Sequence, residues 1–277
     1  MSDSTSSMAD SPVFKDILCA VDGSKASAAA VKMAACLAAP GGRVTFLAVT
    51  GLKGSAQNAQ GAISPSHAEA IVDTAKLVAE KAGVESTGIV DPNRPTSEVI
   101  LERARDHDLL VIGAPAGSWL GELIVGGVAA ATLSQFTTPM LVVRESFDGS
   151  LQGRHIVVAS DGLDGSDEIV KLAGDLASNQ GSPVTLLHVL GAESASQPNE
   201  KIEMQTHALE QAVPGMSDVC TESGKAWEAI VAAAKRTDAA IAVLGSRRLH
   251  GLRALGSVSR HVVYDAPCSV LLLPPRQ

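Results

Sequence analysis

The chain contains the same sequence pattern twice, and the two copies run in the same order. The segment DILCAVDGSKASAAAVKMAACLA (Asp16–Ala38) reappears as HIVVASDGLDGSDEIVKLAGDLA (His155–Ala177), VTFLAV returns as VTLLHV, and LLVIGA returns as IAVLGS. Matching positions lie 130 to 140 residues apart. That period is several times longer than a solenoid repeat and equals the size of an ordinary domain. The sequence therefore predicts duplication of a whole domain.

The amino-acid composition argues against two classes of partner, nucleic acids and membranes. The chain has 277 residues, of which 45% are hydrophobic, so each half can bury a core. A net charge of −8 and only 3% aromatic residues argue against a nucleic-acid partner, which would need cations and stacking rings. Apolar runs fall short of the roughly 18 residues that span a membrane, so we expect no membrane partner.

The domain boundaries follow from short polar segments. Residues 1–12 (MSDSTSSMADSP) lack basic and apolar stretches, so we expect a disordered tail and no signal peptide. The polar segment SFDGSLQGR (Ser146–Arg154) separates a first domain at 13–146 from a second at 154–277. Four cysteines without CxxC or metal spacing indicate buried thiols, as at Cys19 and Cys268, in a reducing cytoplasm.

Each copy alternates continuous apolar runs with segments of helical periodicity. This alternation is typical of a parallel sheet covered on both faces, and it predicts two doubly wound α/β domains of five strands each. In the first copy we expect helices from about Ser97 to Asp106 and from about Glu122 to Gln135. The edge strands near Leu141–Val143 and Leu271–Leu273 are apolar and uncharged, so we expect them to pair with each other.

Glycine-rich turns follow the first and fourth strands of each copy. In such sheets ligands bind outside the carboxyl ends of the strands, where strand order reverses. Glycine lets backbone approach a phosphate, a helix start offers N–H groups, and a carboxylate accepts from an amino group or ribose hydroxyl. The alternative is that glycine turns and an Asp helix cap are general needs of α/β domains. These turns are Asp22-Gly23-Ser24, Asp161-Gly162-Leu163, Gly113–Ala116 and Gly245–Arg248.

The order and spacing of these motifs resemble the universal stress protein family. The most specific stretches are LGSVSRHVVYDAPCSVLLL (Leu255–Leu273) and ILCAVDGSKAS (Ile17–Ser27). From about Phe14 to Pro274 the chain is similar to a tandem member of that family. The resemblance implies, for each copy, a five-stranded parallel sheet of the adenine nucleotide alpha hydrolase-like fold. Some members bind ATP between the first and fourth strands, whereas others lack the motif and bind none.

The first copy carries a degenerate form of the family's nucleotide motif. The family places an Asp on the adenine side, small apolar residues around the base, and a G-x-x-G-(nine residues)-G-[ST] loop around the phosphates. Here alanine replaces the second glycine and glycine replaces the hydroxyl residue; the lost donor weakens binding roughly fivefold. The resemblance implies these nucleotide-binding residues: Ala20, Asp22, Val49, Gly113, Ala116, Gly126 and Gly127.

The second copy departs from the motif differently. Arg248 stands at the second glycine position, and only seven residues separate it from Gly256. Its guanidinium either supplies compensating charge or is a solvated loop cation. His188 narrows the adenine side, and an interior histidine with satisfied hydrogen bonds is the simplest reading. The implied nucleotide-binding residues are Asp161, Val189, Gly245, Arg248, Gly256, Ser257, Val258 and Ser259.

The sequence offers no nucleophile with a general base and no metal cluster, so we expect no catalytic residues. The expected function is a cytoplasmic stress-response protein that binds ATP in one or both copies, with Mg²⁺ only alongside ATP. Two alternatives stay open: a scaffold that binds protein partners without nucleotide, and an ATP-hydrolysing enzyme of related fold. The tandem copies mimic a dimer internally, and a homodimer of the whole chain and unidentified protein partners are further expectations.

Overall fold

The computed structural model describes residues 13–38, 41–50, 63–92, 94–115, 127–163, 165–190, 200–246 and 256–274. In the first copy the elements are β1 (Asp16–Ala20), α1 (Lys25–Ala38), β2 (Arg43–Val49), α2 (Pro65–Lys81), β3 (Glu85–Asp91), α3 (Thr96–Ala104), β4 (Leu109–Ala114), α4 (Gly127–Leu133) and β5 (Met140–Arg144). In the second they are β6 (Ile156–Ser160), α5 (Ser166–Gln180), β7 (Val184–Leu190), α6 (Glu200–Ala212), β8 (Ser217–Ser223), α7 (Ala226–Arg236), β9 (Ile241–Gly245), α8 (Ser257–Asp265) and β10 (Ser269–Leu273).

The strands of both copies form one continuous sheet. Its order is β3-β2-β1-β4-β5-β10-β9-β6-β7-β8, and neighbouring strands within a copy run parallel. The predicted α/β class with five parallel strands per copy is therefore confirmed. Strand order reverses at β1 and β4 in the first copy and at β6 and β9 in the second, which is the doubly wound pattern.

The two copies meet through an antiparallel pair of strands. Strand β5 pairs with β10, with Leu141 opposite Leu271 and Val142 opposite Val270. All four side chains are at most 1% exposed. The predicted pairing of these apolar edges is confirmed. Because the pair is antiparallel, the carboxyl ends of the first copy's strands lie at the sheet edge that holds the amino ends of the second copy's strands.

Both faces of the sheet are buried beneath helices. Alternate residues of a strand face opposite sides, so Leu141 joins one apolar cluster and Val142 joins the other. One cluster includes residues of α1, α2, α5 and α6, and the other includes residues of α3, α4, α7 and α8. Each cluster runs through both copies. Two-sided burial explains why the central strands are continuously apolar rather than alternating.

Two helix predictions are adjusted at their ends. The first predicted helix (Ser97–Asp106) is α3, which ends at Ala104 because Asp106 and His107 bond to carbonyls three residues back. The second predicted helix (Glu122–Gln135) is described only from α4 onward, and it ends at Leu133. Residues 116–126 lie outside the described part of the chain.

The buried cysteines match the sequence reading. Cys19 is fully buried and Cys268 is 5% exposed. Burial raises the pKa of the Cys19 thiol far above its ordinary value and raises the pKa of Cys268 to about 11. Both thiols are therefore protonated near neutral pH.

In the described ranges, His, Cys, Asp and Glu side chains form no group of three that could hold a metal ion. Among the same residues, no helix combines the length and apolarity needed to cross a membrane.

Candidate functional site

In each copy the strand order reverses at two central strands, and ligands of such sheets bind at the carboxyl ends of those strands. In the first copy β1 lies between β2 and β4, and the helices that follow β1 and β4 leave the sheet on opposite faces. This divergence opens a crevice at the sheet edge. The structure brings Asp22, Val49 and Gly113 to that edge, as predicted. The half-buried Ala20 ends β1 beside them.

The Asp22 side chain shapes the turn that starts α1. Its Oδ1 accepts a hydrogen bond from the backbone N–H of Ser24 at 2.9 Å. The backbone N–H of Asp22 donates to Ser27 Oγ at 3.2 Å, and the backbone N–H of Ser27 donates to Ser24 Oγ at 3.1 Å. Asp22 is nevertheless exposed. The turn therefore uses one oxygen of the Asp22 carboxylate, Oδ1. The side chain stays exposed at the carboxyl ends of the strands.

The corresponding turn of the second copy is built on the same plan. Asp161 is exposed, and its Oδ1 accepts from the backbone N–H of Leu163 at 2.9 Å. The glycines after the two aspartates, Gly23 and Gly162, have φ values of 81° and 66°. Residues other than glycine rarely adopt this left-handed backbone conformation. The Asp-Gly pair is therefore a backbone requirement of the turn in both copies.

Gly113 is required by packing, independent of any ligand. A Cβ at this position would lie 2.4 Å from the backbone carbonyl carbon of Ala26 and 2.7 Å from the backbone nitrogen of Ser27. The first turn of α1 therefore rests directly on β4. At Gly245, in contrast, a Cβ would meet the side-chain end of Ile169 at 2.5 Å. At Gly113 the backbone of α1 thus excludes a larger residue. At Gly245 only the side chain of Ile169 is in the way, and that side chain can move.

The helix starts after the fourth strands differ in chemistry. Helix α8 begins at Ser257, and the N-cap residue Gly256 makes no side-chain cap. A helix start of this kind offers first-turn N–H groups and partial positive charge to an anion. Ser257 and Val258 are exposed, whereas Ser259 is 4% exposed and donates from Oγ to the Gly245 carbonyl at 3.1 Å. Ser259, predicted as a ligand residue, has its hydroxyl hydrogen bonded within the protein.

Helix α4 presents the matching position without a hydroxyl. Its first described residue is Gly127, which is exposed, and no atom of the described residues lies within 4 Å of the place a Cβ would occupy. The space that a serine or threonine side chain would need is therefore open. The predicted residues Ala116, Gly126 and Arg248 lie outside the described residues.

A buried polar network supports the turn of the second copy and was not predicted. Gln205 of α6 is 3% exposed. Its Oε1 accepts from Ser160 Oγ at 2.7 Å, and its Nε2 donates to Ser166 Oγ at 2.8 Å and to Asp167 Oδ1 at 2.7 Å. The sequence signal that could have predicted this network is Gln205 itself, a polar residue within the apolar stripe of α6. In the first copy the side chain beside the turn glycine is apolar, that of Ile71.

His188 lies inside the second copy, as the sequence reading favoured. It is 7% exposed, and its Nδ1 lies 3.0 Å from the Ser160 carbonyl oxygen. Because that oxygen only accepts, Nδ1 carries the hydrogen. Val189, next along β7, is half-buried. The imidazole therefore holds β7 against the end of β6.

Comparisons with known proteins agree with this architecture. The chain resembles a universal stress protein from Archaeoglobus fulgidus DSM 4304, with 19% identity, a TM-score of 0.76 and coverage of 94% of this chain and 98% of that one. It also resembles a functionally unknown protein from Pseudomonas aeruginosa PAO1, with 17% identity, a TM-score of 0.67 and coverage of 94% and 92%. A comparison with curated proteins gave no match. The model of the universal stress protein family matches twice, at residues 14–144 and 153–274. The chain therefore belongs to the universal stress protein family and carries two of its domains in tandem.

Proposed function

We propose that the protein is a cytoplasmic, non-enzymatic stress-response protein that binds an adenine nucleotide in at least one of its two crevices. One observation carries the proposal. In each copy an exposed aspartate lies where strand order reverses, and in the second copy the start of α8 lies on the other side of that point. This arrangement supplies an acceptor for an adenine amino group or ribose hydroxyl and N–H donors for phosphates.

The residues present fit an adenine nucleotide with different strengths in the two copies. In the first, Asp22 is the acceptor, and Ala20 and Val49 offer small apolar surface to the base. In the second, Asp161 and Val189 have the same places, and Ser257 adds an exposed hydroxyl at the start of α8. Mg²⁺ would enter only with the phosphates, as the counter-charge they bring.

The inferred role is non-catalytic because the sequence pairs no nucleophile with a general base, and the polar groups of the first turn hold its backbone. Both the Asp22 carboxylate and the Ser24 hydroxyl accept hydrogen bonds from backbone N–H groups. An ATP-hydrolysing enzyme would instead show Mg²⁺-dependent turnover that Asp22→Asn or Asp161→Asn abolishes. We expect turnover to stay at the background of protein-free buffer.

The direct test is nucleotide binding by the purified full chain. We expect calorimetry to show binding of ATP, and Asp22→Asn and Asp161→Asn to weaken it by roughly fivefold in the copy affected. Asp73→Asn, which changes an ion-paired carboxylate on the surface of α2, is the control and should bind as the parent does. No nucleotide released on denaturation, together with no calorimetric signal near millimolar ATP, would overturn the proposal.

A further inference from the structure

A second kind of cleft lies where the two copies join. It encloses about 360 Å³ between the end of β5, the segment that links the copies, and the amino ends of β9 and β10. It is separate from the second copy's crevice because it lies at the opposite ends of β9 and β10. Its polar lining includes Arg144, Ser146, Arg154, Lys235, Asp238 and Ser269.

Arg144 is the unusual member of this lining. It is 5% exposed, and it lies at the end of the strand that pairs with the other copy. Its Nη2 donates to the backbone carbonyls of Val263 and Tyr264, the latter at 3.2 Å, and its backbone N–H donates to Ser269 Oγ at 3.2 Å. The first copy thus holds the last turn of a helix in the second.

The positive charge of Arg144 is only partly compensated. No carboxylate among the described residues lies within 4.0 Å of its guanidinium nitrogens. The carboxyl end of α8 supplies about half a negative charge, and the Asp265 carboxylate attracts the guanidinium without lying within 4.0 Å of it. Burial lowers the pKa of Arg144, because the desolvated cation is disfavoured. Buried charges in proteins are normally paired in direct contact, so a guanidinium that no described carboxylate contacts is suited to an anionic ligand.

Two further cations line the same cleft. Lys235 is exposed in the last turn of α7. Arg154 makes two long ion pairs, at 3.6 Å with Asp148 and 3.9 Å with Asp238. Three cations and one carboxylate among the lining residues give two net positive charges, on a chain whose net charge is −8. The hydroxyls of Ser146 and Ser269 add donors suited to an oxyanion.

We propose that this inter-copy cleft binds the phosphate group of a small phosphorylated molecule, with Arg144 and Lys235 as its cationic partners. The volume exceeds that of inorganic phosphate and falls in the range of small-molecule pockets. The duplicated pattern places Pro274 where the first copy has Arg144, so the matching position of the second copy carries no cation. The cleft therefore marks an asymmetric site of the tandem chain.

The test uses inorganic pyrophosphate as the probe and the full chain as the protein. Backbone amide NMR shifts are followed during titration, with sodium chloride holding ionic strength constant. We expect saturable shifts at residues 234–240 and at Cys268 and Ser269. Lys235→Gln should weaken pyrophosphate binding there by roughly fivefold, since one charge-assisted donor is lost. Arg236→Gln is the matched control, because the next residue of the same helix pairs with Glu222 and does not line the cleft.

A second variant protects the test against folding effects. Arg144→Lys keeps a positive charge but has fewer N–H donors than arginine. The folded variant should therefore bind pyrophosphate more weakly than the parent chain does. Shifts confined to the helix starts at residues 127–129 and 256–259, or equal affinity in Lys235→Gln and Arg236→Gln, would overturn the inter-copy site. Either outcome leaves the adenine-nucleotide proposal standing, because that proposal rests on different residues.

Discussion

At the scale of single residues, Gly113 and Gly245 occupy matching positions of the two copies. Comparing their alanine variants therefore measures how much packing around each glycine contributes to stability. We predict that Gly113→Ala destabilises the chain by about 3 kcal/mol, because its Cβ meets the backbone of Ala26 and Ser27, which cannot move without shifting α1. Gly245→Ala meets only the end of Ile169, which can change rotamer. Alanine also lowers the entropy of the unfolded chain, so we expect this variant within about 1 kcal/mol of the parent.

Urea denaturation followed by circular dichroism checks the pair. The difference between the two variants is the decisive quantity, since both make the same chemical change at matching positions. Equal loss of stability in both would contradict the packing explanation and return Gly113 to a role in ligand approach.

The roles of individual residues were the hardest to predict from the sequence. Glycine at Gly113 fits phosphate approach and helix packing equally well, and only the distance to Ala26 distinguishes them. Ser259 matches a family hydroxyl position, yet its hydroxyl bonds to Gly245. The placement of Asp22 and Asp161 was predictable, because a residue directly after a central strand must lie at the crevice edge.

At the scale of elements, the copies diverge at matching positions of two helices, Gly127 in α4 and Ser257 in α8. We predict that Gly127→Ser strengthens ATP binding by the first copy roughly fivefold, by restoring a hydroxyl donor in open space. Gly127→Ala is the control, because it raises helix propensity at least as much as Gly127→Ser does without adding a donor. Calorimetry in an Asp161→Asn background isolates the first copy. An equal gain in both variants would show that helix stability, not the hydroxyl, limits binding.

The existence and order of the elements followed from hydrophobic patterning. Continuous apolar runs such as Leu109–Ala114 have one stable environment, a sheet buried on both faces. The ends of elements were less predictable, because α3 stops at Ala104 through local turn bonds that leave no mark in the apolar periodicity.

At the scale of the whole molecule, duplication together with apolar strand edges predicted how the copies join. The apolar edges Leu141–Val143 and Leu271–Leu273 could not remain uncovered, so each covers the other. The contribution of Arg144 could not be predicted in this way. A cation that ends an apolar strand is unremarkable in sequence, and its acceptors lie about 120 residues further along the chain, at Val263 and Tyr264.

Continuity of the sheet predicts one cooperative core rather than two independent domains. Strands β5 and β10 lie at its centre, whereas β3 and β8 form its outer edges. We expect the amides of Leu141–Val143 and Leu271–Leu273 to exchange hydrogen only on global unfolding, at least about tenfold more slowly than those of Ser217–Ser223. Native-state hydrogen exchange by NMR measures both sets in one sample. If the β5 and β10 amides exchanged as fast as those of β8, the pair would open locally, and the copies would unfold as separate domains despite sharing a sheet.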